Sequence, residues 1–296
     1  MTTRSRAELF LFATTFIWGS TFVVVKAGSE NISSSLFIAL RFGIGTLIFA
    51  IFLFKQLNTI TFQTFKKSVI LGLMLGVGIL LQNYGIYITT ASKSAFITGL
   101  MVIFTPIAQL IIEHRSPKFG NLIGIVIVTF GLYLLTSPSD SGINFGDILV
   151  FISALIFGVF IVYLDIFSKT ENVLHLAFLQ VAIVTLIAVV IVPFETIRFI
   201  PSTQIIFSLL YMGICATVLT TYIQTRFQKD TTPTRAVIIF TIEPVIAAVL
   251  AYFVLGEILG IAGVIGACLI VGGILISEFF DNIVAKLYLK NQSVED

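Results

Sequence analysis

Residues 173–194 read VLHLAFLQVAIVTLIAVVIVPF. No Asp, Glu, Lys or Arg interrupts the run. It is as long as the roughly 20 apolar residues that an α-helix needs to cross the ~30 Å hydrocarbon core of a bilayer. Nine more stretches are predominantly apolar over a similar length. The expected spans are 7–27, 33–54, 67–89, 92–113, 118–136, 146–167, 173–194, 202–223, 232–254 and 258–280. The bulk composition agrees. Of 296 residues, 57% are hydrophobic and 11% charged, with a mean hydropathy of +1.08. A soluble domain is roughly a quarter charged. So few charges cannot cover a water-facing surface, and lipid is the expected solvent. Period-two patterning is missing, which argues against a β-barrel. Removing the spans leaves no soluble or nucleotide-binding module.

The short lead-in carries Arg4 and Arg6, but the apolar run behind it has no small-residue cleavage site and reads on to Lys26. It is read as the first span rather than a signal peptide. Positive charge then sets the orientation. With a cytoplasmic N-terminus, thirteen of the 17 Lys and Arg residues fall on the cytoplasmic side. Three, Lys26, Lys93 and Arg198, fall opposite, and Arg41 lies inside the second span. Both termini are therefore expected in the cytoplasm.

The ten spans divide into two related halves. Trp18-Gly19 precedes Phe157-Gly158 by 139 residues, and Thr46-Leu47-Ile48 precedes Thr185-Leu186-Ile187 by the same step. Tyr84 precedes Tyr222, and Pro106 precedes Pro244, by 138; Gly124 and Gly131 precede Gly266 and Gly273 by 142. A repeat of five spans enters the membrane from opposite sides in its two copies. The expected architecture is thus all-α and integral to the membrane: ten transmembrane helices as two inverted five-helix repeats, 1–137 and 146–281, with a short cytoplasmic tail at 282–296. Exchanging the conformations of two such halves converts an inward-open state into an outward-open one.

The motifs carry a resemblance. Phe16-Ile-Trp-Gly-Ser-Thr-Phe22, Leu40-Arg41-Phe42, Leu81-Gln-Asn-Tyr-Gly85, Thr89-Thr-Ala-Ser-Lys-Ser-Ala-Phe96, Glu243-Pro244 and Gly256-Glu257 stand in order along the chain. In these the chain resembles the drug/metabolite transporter superfamily, specifically the bacterial ten-helix family with two EamA-type domains. The resemblance implies a secondary carrier in the cytoplasmic membrane: a uniporter, exchanger or proton-linked transporter, often an exporter of amino acids or other metabolites. It also implies a solute cavity between the halves. One departure is Thr105-Pro106 in the first half where the second has Glu243-Pro244.

Polar residues within the spans are the site candidates, because a charge at mid-bilayer costs about 2.5–3.5 kcal/mol on insertion scales. Glu243 is expected to bind a substrate amine or a coupling proton, or else to make a structural hydrogen bond. Arg41, whose repeat mate is Gln180, either clamps a carboxylate or ties helices together. Gln82, Asn83 and Tyr84, with Tyr222 and Gln224, offer uncharged donors and acceptors. Trp18 is placed to stack on a solute. Pro106 and Pro244 are the candidate hinges, each deleting a helical hydrogen bond.

Other chemistries find no support. No G-x-x-x-x-G-K-[ST] sequence points to ATP. His114 and His175 stand outside any H-E-x-x-H context, so neither a metal nor another cofactor is expected. Cys215 and Cys268 lie in apolar runs and imply no disulfide framework. The net charge of +2 and the scattered basic residues imply no nucleic acid. The expected partners are a small solute, the lipid bilayer and coupling protons, for a monomer or weak dimer. The expected function is transport of an amino acid or related zwitterion or amine, working as an exporter. A membrane enzyme or a non-transporting scaffold is the alternative, and no clustered carboxylates, histidines or nucleophile support the enzyme.

Overall fold

The computed structural model of the protein describes residues 2–136, 143–258 and 260–295. The expected end of the first repeat at 137 lies outside the described residues, as do the side chains of the tail, Lys286 and Lys290 among them. All elements of the described chain are helical, and one isolated β-bridge joins Ile32 to Phe199.

Among the described residues there are ten helical rods, one for each expected span. They are α1 (Thr3–Gly28), α2 (Ser34–Leu53), α3 (Phe62–Ile88), α4 (Ala91–Glu113), α5 (Phe119–Thr136), α6 (Phe145–Ser168), α7 (Val173–Ile191), α8 (Thr203–Asp230), α9 (Pro233–Leu255) and α10 (Ile261–Glu295). Among the described residues eight are long and apolar enough to cross a membrane, and α5 and α10 add shorter apolar segments, Phe119–Leu135 and Ile261–Ser277. Helix α10 then runs on as helix to Glu295, through the expected tail.

Local chemistry sets the helix starts. Thr2, Thr61, Thr90, Asn144, Asn172, Ser202 and Thr232 each accept a backbone N–H of the first turn with the side chain. Those donors would otherwise be orphaned. Helices α4 and α9 end alike, with His114 and Gly256 in the left-handed conformation at φ 56° and 70°.

Burial is inside out relative to a soluble protein. Ile51, Phe52 and Phe253 are about three-quarters exposed on the outer surface, while Thr14, Ser34, Ser153 and Thr220 are fully buried. Exposed apolar surface this extensive marks a face that meets lipid or another protein rather than water. The bundle is held by broad contacts of α5 with α10, α3 with α6 and α7, α2 with α7, α1 with α9, and α4 with α6.

Glycines set the closest approaches. A Cβ on Gly266 would lie 2.4 Å from the Leu135 nitrogen, and one on Gly131 would lie 2.8 Å from the Gly266 carbonyl oxygen. Both obstacles are backbone and cannot swing aside. Gly266→Ala is expected to part α5 from α10 and cost about 1–3 kcal/mol, the usual range for overpacking. A thermal melt of the purified protein in detergent would read this as a lowered midpoint.

Three irregularities interrupt the rods near mid-depth. Helix α4 tightens at Leu100, whose N–H bonds the Ile97 carbonyl, and α9 tightens at Thr241 and Ile242, which bond Ile238 and Ile239. Residues Ile214–Leu219 of α8 form a π-helical turn. All three border the same cavity.

Candidate functional site

A cavity of about 780 Å³, its open side included, lies between the two halves of the chain. The first half contributes Trp18 and Thr21 from α1, Arg41 from α2, Gln82 from α3, and Thr98 and Met101 from α4. The second half contributes Phe157 and Phe160 from α6, Gln180 from α7, Thr221 and Gln224 from α8, and Phe240 and Glu243 from α9.

The interruptions put polar groups at this wall. In α8 the π turn displaces the regular hydrogen-bond ladder, as such turns do at functional sites. The Ala216 carbonyl there accepts from Arg41 Nη2 at 2.9 Å, and Thr217 Oγ1 accepts from Arg41 Nε at 2.9 Å. The guanidinium carbon also lies 5.0 Å from the Phe42 ring centroid. These contacts fix the plane of the fork and leave further N–H groups to face the cavity. In α9 the break delivers Glu243 to the first position of a new helical segment. The Glu243 side chain is buried, and its Oε1 has no hydrogen-bond partner. Among the described residues neither Arg41 nor Glu243 forms an ion pair.

Gln180 donates to Thr225 Oγ1 at 3.2 Å, and its own Oε1 is buried without a partner. Gln82 donates to Thr98 at 3.0 Å. Trp18 meets Phe240 edge to face, with centroids 5.2 Å apart. The cavity thus holds one buried cation, one buried acid, an orphaned carboxamide oxygen and a wall of aromatic rings. Buried charges without an ionic partner are costly, so this arrangement suits a ligand that carries both signs.

The structure sorts the sequence candidates. Trp18, Arg41, Gln82 and Glu243 line one cavity, while Asn83, Tyr84 and Tyr222 do not. Asn83 bonds Ser34, and Tyr84 bonds Glu195, which also accepts the Ser34 and Ser35 backbone N–H groups at the start of α2. Tyr222 lies partly exposed on the other side of α8.

The two prolines occupy different places. Pro106 sits inside the second segment of α4, whereas Pro244 is the second residue after the break in α9. There its missing N–H costs nothing. The caps Thr90 and Thr232 and the left-handed ends His114 and Gly256 align α4 with α9 at a step of 142, so Pro244 falls opposite Val102. Thr21, Thr98 and Thr221 were not singled out from sequence. A threonine hydroxyl satisfied by its own helix, as Thr21 is by the Trp18 carbonyl at 2.7 Å, leaves no mark in a hydropathy pattern.

The EamA-like transporter family matches the chain twice, over residues 5–137 and 144–279. The chain belongs to that family. It is therefore a multi-pass membrane transporter of the drug/metabolite transporter superfamily. An uncharacterized transporter of Archaeoglobus fulgidus is 32% identical to this EamA-like chain over 92% of its length and 86% of the relative's. The uncharacterized transporter YoaV of Bacillus subtilis is 26% identical, covering 93% of this chain and 97% of its own. A crystal structure with 18% identity superposes with a TM-score of 0.77, covering 95% of this chain and 99% of that one, and shares the fold.

Proposed function

We propose that this EamA-like chain is a secondary carrier for an amino acid or a related zwitterion or amine, working by alternating access in the cytoplasmic membrane. The observation that carries the reading is the cavity with Arg41 and Glu243 both buried and both without an ionic partner. A substrate carboxylate would complete the guanidinium, and a substrate ammonium would complete the carboxylate and the Gln180 oxygen. Trp18 and Phe240 would cover the apolar part. Glu243 is also the group on which a coupling proton would ride. Exchange of proton and ammonium at one carboxylate would link solute flux to a pH gradient.

Alternating access draws support from contacts that recur in the two halves. Gly19 packs on Ile246, and its counterpart Gly158 packs on Phe104. Gly72 packs on Ile183, and Gly213 packs on Ile44. Gly124 meets Gly273 as Gly131 meets Gly266, and Thr46 hydrogen-bonds Thr185, its own counterpart, at 2.8 Å. Contacts that return with the halves exchanged suit a pseudo-two-fold axis, in the membrane plane if the repeats 1–137 and 146–281 are inverted. The excess of Lys and Arg on the N-terminal face supports cytoplasmic termini, and the family resemblance supports export.

The test is release from proteoliposomes loaded with a mixed amino-acid pool, with and without an imposed pH gradient. Saturable release of one group of amino acids, with counter-exchange, is the expected result. A lack of release of any amino acid would sink the zwitterion reading and turn the search to amines and nucleosides.

A further inference from the structure

Two ion pairs stand outside the cavity in corresponding places of the two halves. On the face that carries the N-terminus, Glu8 of α1 accepts from Arg235 of α9 at 2.8 Å, with Arg4 at 2.9 Å and Thr231 at 3.0 Å on the same oxygen. On the opposite face, Asp147 of α6 pairs with Lys93 of α4 at 2.6 Å. The cations are equivalent. Arg235 and Lys93 are each the third residue of a helix, and each donates its backbone N–H to the capping threonine, Thr232 or Thr90. The acids are equivalent too, standing 139 residues apart like Gly19 and Gly158.

Each pair therefore joins the first helix of one half to the fourth helix of the other. Those helices are also walls of the cavity. Trp18 and Glu243 lie on α1 and α9; Phe157 and Met101 lie on α6 and α4. Gly19 and Gly158 let these helices approach closely beside the cavity, and between the cavity and Glu8 the buried Leu11 belongs to the same apolar cluster as Ala236 and Val237. Parting α1 from α9 at Glu8 would lay the cavity open to the N-terminal face. Parting α6 from α4 at Asp147 would lay it open to the other.

We infer that Glu8–Arg235 and Asp147–Lys93 are the two latches of the carrier, one for each face, of which one must break for the cavity to open on that side. The inference rests on the alternating-access reading, but its test needs neither a substrate nor transport. The latches are unequal. Glu8 has three side-chain partners, and the Glu8 and Arg235 side chains are 10% and 6% exposed. The Lys93 side chain is 27% exposed, and its acid is also held by its own helix cap at Asn144.

The experiment follows labelling of one cavity cysteine from each face. Cys215 and Cys268 are replaced with Ala, Thr21→Cys is introduced, and an impermeant maleimide is added to vesicles of either orientation, distinguished by a tag on the N-terminus. Neutralising both partners at once, Glu8→Gln with Arg235→Gln, avoids stranding a buried charge. It is expected to raise the labelling rate about fivefold or more from the N-terminal face alone, the low end of ordinary coupling energies. Asp147→Asn with Lys93→Gln is expected to do so from the opposite face alone. The exchanged pair Glu8→Arg with Arg235→Glu is expected to return labelling to the starting rate. Unchanged labelling in both neutralised variants, or a rise at the same face in both, overturns the proposal. Loss of monodisperse protein in both the neutralised and the exchanged Glu8 variants also overturns it, because the pair is then a structural tie.

Discussion

Glu243→Gln is expected to lower transport of a zwitterionic solute about a hundredfold while the folded protein melts at the same temperature or higher. The two halves of this expectation have one cause. The carboxylate has no ion-pair partner, and one of its oxygens has no hydrogen bond at all. Breaking a buried ion pair typically costs about 3–5 kcal/mol because a charge is stranded. Here no partner is stranded, and an isosteric amide removes a buried acid that the protein alone does not satisfy. Stability therefore holds. The solute, in contrast, loses a charge-assisted hydrogen bond in the cavity. Such a bond contributes about 1.5–3 kcal/mol, and about 2.7 kcal/mol is a hundredfold. Stimulation by a pH gradient should vanish as well, since an amide carries no proton across. Initial rates in proteoliposomes and a melt in detergent check both parts. A lowered melting temperature with transport intact per folded molecule would make Glu243 a strut and remove it from the mechanism.

The sequence and the structure agree where the physics is local or one-dimensional. Ten apolar stretches became ten helices among the described residues, because a chain in lipid must satisfy its own backbone. Ser, Thr or Asn side chains begin seven of them, as capping chemistry dictates. Charge in a span was also a sound pointer, and both Arg41 and Glu243 lie at the cavity. The cluster Gln82, Asn83 and Tyr84 was less so. Consecutive residues on a helix point about 100° apart, so the three cannot share one cavity. Only Gln82 reaches it, and the other two hold the end of α3 against α2 and Glu195.

The π turn of α8 was illegible for a different reason. Ile214–Leu219 reads ICATVL, which has no residue that demands a π turn, and Thr241-Ile242 contains neither Gly nor Pro. The π turn leaves no short-range signal, whereas the break in α9 falls just before Pro244, which has no N–H to give the Phe240 carbonyl. Pro244 stands at the break in α9 and Pro106 lies inside a segment of α4, so the two are not in register. A chance spacing of 138 was compatible with the neighbouring matches, but the caps and helix ends of α4 and α9 align at 142, one turn away.

Arg41→Met is expected to abolish transport of any carboxylate-bearing solute, by more than about a hundredfold, and to destabilise the protein by about 2 kcal/mol. Unlike Glu243, Arg41 has two duties. Its Nε and Nη2 bind Thr217 and the Ala216 carbonyl, both in the π turn of α8. Removing a charged donor from partners this deeply buried costs about 1.5–3 kcal/mol. The remaining N–H groups are the only buried cationic donors facing the cavity among its lining residues, so a carboxylate has no substitute there. Arg41→Lys separates the duties. An ammonium keeps the charge, and it can regain one of the two contacts with α8. It cannot hold the turn and present a planar fork to a carboxylate at the same time. Stability should therefore recover in part, with transport still at least about tenfold down and the loss mostly in KM. If Arg41 only tied α2 to α8, transport in the Lys variant would rise in step with its melting temperature. A Lys variant that is stable and still inactive instead assigns the guanidinium to the solute.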